Sequence, residues 1–159
     1  MARQIKITDE RELFNYACRY LERYPSSVLK LKTKLKQKCD DISIIDSVLQ
    51  RLQSLNYLND LELAESLIRA LIRRGYGRNR IIMKLKEKKL NASSITEKFL
   101  SSKDARDKER SALISLIEKK TERLNLKAAS GKKKIVDFLI RRGFDPATVY
   151  EVLREKGII

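Results

Sequence analysis

The chain has 159 residues, and its 36 Lys and Arg against 21 Asp and Glu give a formal net charge of +15. The absence of histidine excludes Ser-His-Asp and Cys-His catalytic groups and histidine-dependent zinc sites, and two cysteines cannot form a four-cysteine zinc site. Few Gly and Pro argue against a β-sandwich or barrel, while 42% hydrophobic residues suffice for a packed core. We therefore expect an all-α protein whose partner is a polyanion or an acidic protein surface.

Apolar periodicity and capping residues predict helices along the whole chain. In chain order they span residues 9–24, 27–38, 41–55, 60–73, 78–88, 91–100, 103–126, 129–142 and 145–155. The second of these segments is ambiguous, because its leucines and lysines alternate as in a strand. The spacing of Val28, Leu31 and Leu35 after a capping Ser27 favours a helix.

The predicted helices repeat in groups of three. Each group carries an apolar i, i+4 pair in its second helix, followed six residues later by a strong N-capping residue. The pairs are Leu31 with Leu35, Ile81 with Leu85, and Ile135 with Leu139, and the caps are Asp41, Asn91 and Asp145. A register that recurs about every fifty residues indicates tandem repeats. We predict three-helix repeats at 1–58, 59–102 and 103–159, stacked into an elongated, curved array.

Positive charge is distributed over all three predicted repeats and is concentrated on the second helix of each. These basic side chains are Lys30, Lys32, Lys34, Lys36 and Lys38; Arg78, Arg80, Lys84, Lys86 and Lys88; and Lys132, Lys133, Lys134, Arg141 and Arg142. Stacked repeats would align them into a basic track for an extended acidic partner. The alternative is a solvated face without a partner.

Tyr16, Tyr20 and Tyr24 lie four residues apart and form a stripe on the first helix. Such a stripe could stack on nucleic-acid bases, but packing against neighbouring helices is the interpretation that we favour. Tyr57 and Tyr76 are expected in loops beside basic residues, and are better candidates for contact with a partner.

No motif in the sequence assembles a catalytic or cofactor site. Gly75-Tyr76-Gly77 lacks the third glycine and the preceding strand of a dinucleotide fingerprint, and Ser130-Gly131-Lys132-Lys133 lacks the essentials of a phosphate loop. We expect neither enzymatic activity nor a cofactor or metal. The lack of a signal peptide or membrane span, with two cysteines outside any CxxC motif, predicts a cytoplasmic protein with reduced thiols. We also expect the protein to be a monomer.

Four segments, in order along nearly the whole chain, resemble the bacterial regulatory protein family RecX. The segments are Tyr20–Ser27 with the following Lys34–Lys38, Asn56–Asp60, Arg74–Arg78 with the following helix, and Phe138–Phe144. The last of them, with its Arg-Arg-Gly-Phe sequence, is the most specific. Asn56, Cys39 and Lys89 stand where glycine is usual in the family, and Asn59 stands where aspartate is usual.

The resemblance implies an elongated tandem three-helix-repeat protein that modulates the RecA recombinase in DNA repair and recombination without catalysis. Such proteins bind the groove or the growing end of the RecA–DNA filament, and they suppress its extension, strand exchange and ATP hydrolysis. The expected contact residues are Tyr57, Arg73, Arg74, Arg78, Arg80, Lys84, Lys88, Lys132, Lys133, Lys134, Arg141 and Arg142. The alternative is a direct DNA- or RNA-binding protein that acts through its basic track.

Overall fold

A computed structural model describes residues 6–122 and 129–159, and all regular structure in these residues is helical. The helices are α1 (Glu10–Arg23), α2 (Val28–Leu35), α3 (Ile42–Ser54), α4 (Asp60–Arg73), α5 (Arg78–Glu87), α6 (Ala92–Leu100), α7 (Lys103–Thr121), α8 (Ala129–Arg141) and α9 (Pro146–Glu155). The all-α prediction is confirmed, and every helix that was expected is present. The predicted end of the seventh helix, residues 123–126, lies outside the described residues.

The three in-register capping residues begin the third helix of each predicted repeat. The Asp41 carboxylate accepts hydrogen bonds from the backbone N–H groups of Ser43 and Ile44, at 2.8 and 3.3 Å. Asn91 and Asp145 accept in the same way from the residues three positions later. Each cap satisfies a backbone donor that has no partner within the helix, and is worth about 1 kcal/mol.

The ambiguous second segment is a helix, as expected from its capping serine. Ser27 is fully buried and caps α2, its oxygen accepting from the Lys30 N–H at 3.3 Å. Its hydroxyl donates in turn to the backbone carbonyl of Lys88 at 2.6 Å. Leu31 and Leu35 are completely buried on one face of the helix, so the helical period outweighs the strand-like alternation.

The chain divides into two compact units. The first contains the residues up to Ala64 together with Glu87–Leu90, and α1, α2 and α3 pack on one another within it. Its core is an aliphatic cluster that includes Leu13, Ala17 and Leu52. Burial of each such leucine contributes about 1.5–3 kcal/mol relative to leaving it in water.

The second unit contains Glu65–Lys86 and the described part of Asn91–Ile159. Here α7, α8 and α9 pack on one another around a cluster that includes Leu113, Ile117, Leu139 and Phe144. The repeat boundaries at 58 and 102 stay a prediction.

Two non-glycine residues adopt the left-handed backbone conformation at positions where the family resemblance leads one to expect glycine. They are Asn56, with φ of 58°, and Lys89, with φ of 56°. Asparagine tolerates this region better than most residues. Asn59 donates from its side-chain amide to the Asn56 side-chain oxygen at 3.0 Å. Its own oxygen accepts from two N–H groups at the start of α4, so the turn is closed without glycine.

The tyrosine stripe of α1 differs from its favoured interpretation. Tyr16 and Tyr20 are half-buried and pack against the core of the first unit, as expected. Tyr24 does not, since 59% of its surface is exposed. The reason is its position just beyond the last residue of α1, next to the exposed Pro25, where the chain leaves the helix.

Candidate functional site

Two turns that are distant in the sequence meet in the second unit. The α4–α5 turn (residues 74–77) lies against the α8–α9 turn (residues 142–144). The Gly77 N–H donates to the Arg142 carbonyl at 2.9 Å, and the Asn79 N–H donates to the Gly143 carbonyl at 3.0 Å. The turns are thus joined backbone to backbone.

This close approach requires glycine on both sides. A Cβ atom on Gly77 would lie 2.4 Å from the backbone nitrogen of Phe144. A Cβ atom on Gly143 would lie 2.3 Å from the backbone nitrogen of Arg80, and the φ of Gly143 is +89°. Both contacts are with backbone atoms, which cannot move aside as a flexible side chain can.

The joined turns bring together basic residues from two sequence segments. We call this set the arginine cluster, and it consists of Arg73, Arg74, Arg78, Arg80, Arg141 and Arg142. Guanidinium groups remain charged at any physiological pH, and they bind carboxylates and phosphates through paired hydrogen bonds. The cluster is therefore suited to an acidic partner.

Two members of the cluster are bound within the protein. Arg142 donates from Nη1 to the Arg74 carbonyl at 2.6 Å, and its guanidinium lies 4.9 Å from the ring centroid of Tyr76. Arg78 donates from Nη1 to the Leu100 carbonyl at 2.6 Å, while its backbone N–H donates to the Glu109 carboxylate at 2.6 Å. These two arginines hold the turns in place.

The other members face solvent to different degrees. Arg73, Arg74 and Arg141 are exposed. Arg80 is half-buried, and its Nη1 lies 3.7 Å from the sulfur of Met83, a weak acceptor. The surface that the cluster offers to a partner is consequently formed by Arg73, Arg74 and Arg141, with Arg80 at its border.

The remaining contact candidates lie elsewhere. Lys132 is half-buried and Lys133 and Lys134 are exposed, and they occupy the part of α8 near its start. Eight residues of helix place Lys133 about 12 Å from Arg141 along the axis of α8. Lys84 is half-buried on α5. The lysine triplet is therefore a patch separate from the arginine cluster.

Two candidates belong to the first unit. Lys88 is half-buried, and its carbonyl accepts the Ser27 hydroxyl. Tyr57 is 65% exposed in the turn between α3 and α4, and it borders a cavity of about 310 Å³ together with Cys18 and Leu21. The open, partly apolar setting of Tyr57 is what a contact residue requires.

Two charged residues of α7 that were not among the predicted contact residues also lie near the arginine cluster's Arg78. Arg106 and Arg110 line a cavity of about 460 Å³ with Arg78 and Glu109. Arg110 pairs with Glu151 and Glu155, at 3.4 and 2.6 Å. Arg106 and Arg110 are four residues apart and therefore lie on one face of α7, and this spacing could have been recognised in the sequence.

The described residues contain no group of three or more His, Cys, Asp or Glu side chains that could hold a metal ion. Within the same part of the chain, no helix is both long enough and apolar enough to cross a membrane. Cys18 and Cys39 are both free thiols.

Comparison with known proteins identifies a consistent set of relatives. The profile of the RecX second three-helix domain matches residues 59–97. The regulatory protein RecX of Deinococcus radiodurans is 32% identical over 148 residues, which cover 92% of this chain and 70% of that protein. The regulatory protein RecX of Legionella pneumophila is 32% identical over 142 residues, covering 89% and 93%.

A solved structure supports the fold. The crystal structure of RecX from Lactobacillus salivarius superposes with a TM-score of 0.79 and covers 94% of this chain and 97% of that one. Sequence identity between the two is 22%, so this likeness concerns the fold. The matched domain at 59–97 contains α4, α5 and nearly all of α6, in agreement with a tandem three-helix architecture.

Proposed function

Because the chain belongs to the RecX family, we propose that it is a non-enzymatic regulator of homologous recombination that binds the RecA–DNA filament. Bound in the filament groove or at its growing end, it limits filament extension, strand exchange and ATP hydrolysis, and it acts in the cytoplasm. The proposal rests on sequence similarity to RecX proteins over about nine-tenths of the chain, combined with the three exposed residues of the arginine cluster.

The arginine cluster has the chemistry that such a filament demands. A recombinase filament on DNA presents carboxylates of the protein and phosphates of the nucleic acid side by side. Planar guanidinium groups bind either one, whereas a lysine acts only as a point charge. Arg74 lies in one of the joined turns, and Arg73 and Arg141 are the last residues of the helices that lead into them, so the backbone that carries all three is held in place before binding.

Binding energy alone is enough for regulation. A protein that contacts two adjacent protomers of a filament changes the free energy of adding or releasing a subunit by the difference in its affinity for the two states. No bond is made or broken by the regulator. Its effect on ATP hydrolysis is then a consequence of the altered filament.

The direct test measures RecA ATPase and strand exchange on single-stranded DNA with increasing amounts of the protein. We expect inhibition. Inhibition far below one molecule per recombinase would indicate action at the filament end, and inhibition near equimolar amounts would indicate coating of the groove. Unchanged activity at saturating amounts would refute the proposal.

A charge-reversal pair tests the arginine cluster. Arg73→Glu with Arg141→Glu should weaken filament binding about tenfold, because a loss of about 0.7 kcal/mol at each exposed position adds up to about 1.4 kcal/mol. Arg11→Glu with Arg154→Glu makes the same change in net charge on exposed residues outside the cluster. Equal loss in both double variants would mean that only the overall charge matters.

Filament binding must also be distinguished from simple attraction to DNA. We expect the protein to bind recombinase filaments much more tightly than bare DNA at the same salt concentration. Binding driven by phosphates alone falls linearly with salt on a log–log plot. Equal affinities for filament and bare DNA would favour a direct nucleic-acid-binding protein instead.

A further inference from the structure

The face of α1 in the first unit carries three aromatic rings in succession, which we call the tyrosine ladder: Tyr16, Tyr20 and Tyr24. The Tyr16 and Tyr20 ring centroids are 6.5 Å apart with planes inclined by 21°. The Tyr20 and Tyr24 centroids are 5.3 Å apart with planes inclined by 41°. One ring per helical turn forms a continuous aromatic surface, which ends in the exposed Tyr24.

Cationic groups lie over and beside the rings of the ladder, and we call them the basic rim. From α2 and the turn after it, the Lys34 Nζ lies 6.0 Å from the Tyr20 centroid and the Lys38 Nζ lies 5.8 Å from the Tyr16 centroid. From α1 itself, Arg19 and Arg23 line a cavity of about 370 Å³ with the three tyrosines. Among the described residues, the lining of this cavity is tyrosine and arginine alone.

Core packing accounts for part of the ladder only. Tyr16 and Tyr20 pack partly against the first unit's core, which explains why they are aromatic. Tyr24 contributes little to that core, yet its ring continues the stack. An exposed ring in line with two others, with cations beside them, extends the aromatic surface into solvent, where it is accessible to a ligand.

The ligand that matches this surface has flat apolar groups alternating with negative charges. Bases of a single strand stack on aromatic rings, and the phosphates between them meet the cations. A duplex keeps its bases stacked on one another inside the helix, so they cannot lie on the rings. An acidic peptide would use the basic rim but leaves the rings without a partner.

We propose that the tyrosine ladder and its basic rim form a binding site for single-stranded nucleic acid, with bases stacked on Tyr20 and Tyr24. This site is distinct from the arginine cluster, and it requires no recombinase. It therefore goes beyond the proposed function, because the chain would bind single-stranded nucleic acid directly through this site.

The test uses the full chain without recombinase and measures fluorescence anisotropy of labelled 15-mers of deoxythymidine and of uridine. Tyr24→Leu keeps an apolar side chain but removes the aromatic face, and it should raise the Kd for both oligomers about tenfold. Tyr24→Trp should bind at least as tightly as the native chain, because it retains the ring. Tyr150→Leu removes another exposed tyrosine ring, from α9, and should leave the Kd unchanged.

Photo-crosslinking locates the contact. An oligomer containing 5-iododeoxyuridine should attach to the peptide that carries Tyr20 or Tyr24, and this attachment should be lost in Tyr24→Leu. Thermal melting followed by circular dichroism verifies that each variant is folded. Because Tyr24 is largely exposed, its replacement should not change the melting temperature appreciably.

Besides failure of the native chain to bind either oligomer, three results would overturn the proposal. They are an unchanged Kd in folded Tyr24→Leu, an equal loss in Tyr150→Leu, or polyglutamate binding that depends on Tyr24 as strongly as oligonucleotide binding does. The last result would assign the ladder to an acidic peptide. The oligomer assay contains no recombinase, so the two proposals fail separately. A chain that inhibits recombinase filaments but does not bind the oligomers would refute the ladder proposal alone. A chain that binds the oligomers but does not inhibit recombinase filaments would refute the filament proposal alone.

Discussion

Glycine-to-alanine substitutions at three positions separate backbone strain from steric conflict in the joined turns. Gly157 has a φ of +66° and open space where a Cβ would lie. Gly77 has a backbone conformation that any residue can adopt, but a Cβ there would lie 2.4 Å from a backbone atom. Gly143 combines both conditions, with φ of +89° and a contact of 2.3 Å.

The expected losses follow from these geometries. An alanine in the left-handed region costs about 1–2 kcal/mol, so Gly157→Ala should lose about 1 kcal/mol once the lower entropy of the unfolded chain is included. In Gly77→Ala the turns must separate by about 1 Å to reach an ordinary contact distance. That separation breaks the two backbone hydrogen bonds between them and should cost about 3 kcal/mol. Gly143→Ala should lose about 4 kcal/mol.

Urea denaturation followed by circular dichroism measures the three losses. With a denaturant slope of about 2 kcal/mol per M, the Gly77 and Gly143 variants should unfold at concentrations lower by about 1.5–2 M, and the Gly157 variant by about 0.5 M. The decisive comparison is between Gly77→Ala and Gly157→Ala. If the Gly77 variant were no less stable than the Gly157 variant, the two turns could not be in backbone contact.

Two further predictions concern single side chains. Arg142→Ala should lose about 2 kcal/mol of unfolding free energy, because it removes a charged hydrogen bond to the Arg74 carbonyl. Arg141→Ala, at an exposed position, should change the unfolding free energy by less than about 0.5 kcal/mol. Equal urea midpoints for the two variants would contradict this assignment. Burial raises the pKa of Cys18, and the nearby Glu22 carboxylate adds to this shift while Arg51 opposes it. The fraction of Cys18 in the thiolate form at neutral pH is therefore small. Its reaction with Ellman's reagent should be slow at pH 7 and faster at alkaline pH. Cys39 is 1% exposed and should react only on unfolding, and simultaneous reaction of both thiols in the native chain would contradict the structure.

Much of the fold could be predicted because its signals are local. A capping side chain such as Asp41 bonds to N–H groups two and three residues away, so the start of α3 is encoded within a few positions. The same holds for Asn91 and Asp145. The apolar i, i+4 pairs are local in the same sense, and they even resolved the strand-like α2 correctly.

The candidate site could be predicted in composition but not in arrangement. Arg141 and Arg142 are neighbours with the same side chain, yet one is exposed and the other is bound to a carbonyl 68 residues away. The apolar periodicity of α8 cannot predict this difference, because the acceptor, the Arg74 carbonyl, lies in the α4–α5 turn. For the same reason, the exposure of Tyr24 at the end of its stripe could not be read from a spacing that it shares with Tyr16 and Tyr20.

The sequence by itself determined the helices of the described residues, the capping residues Asp41, Asn91 and Asp145, the apolar faces and the family, since each depends on residues close together or on similarity along the whole chain. Only the tertiary structure decided which arginines are structural and which face solvent. The physical reason is that Gly77 and Gly143 admit a backbone contact between turns more than sixty residues apart, and this contact brings Arg142 within reach of the Arg74 carbonyl.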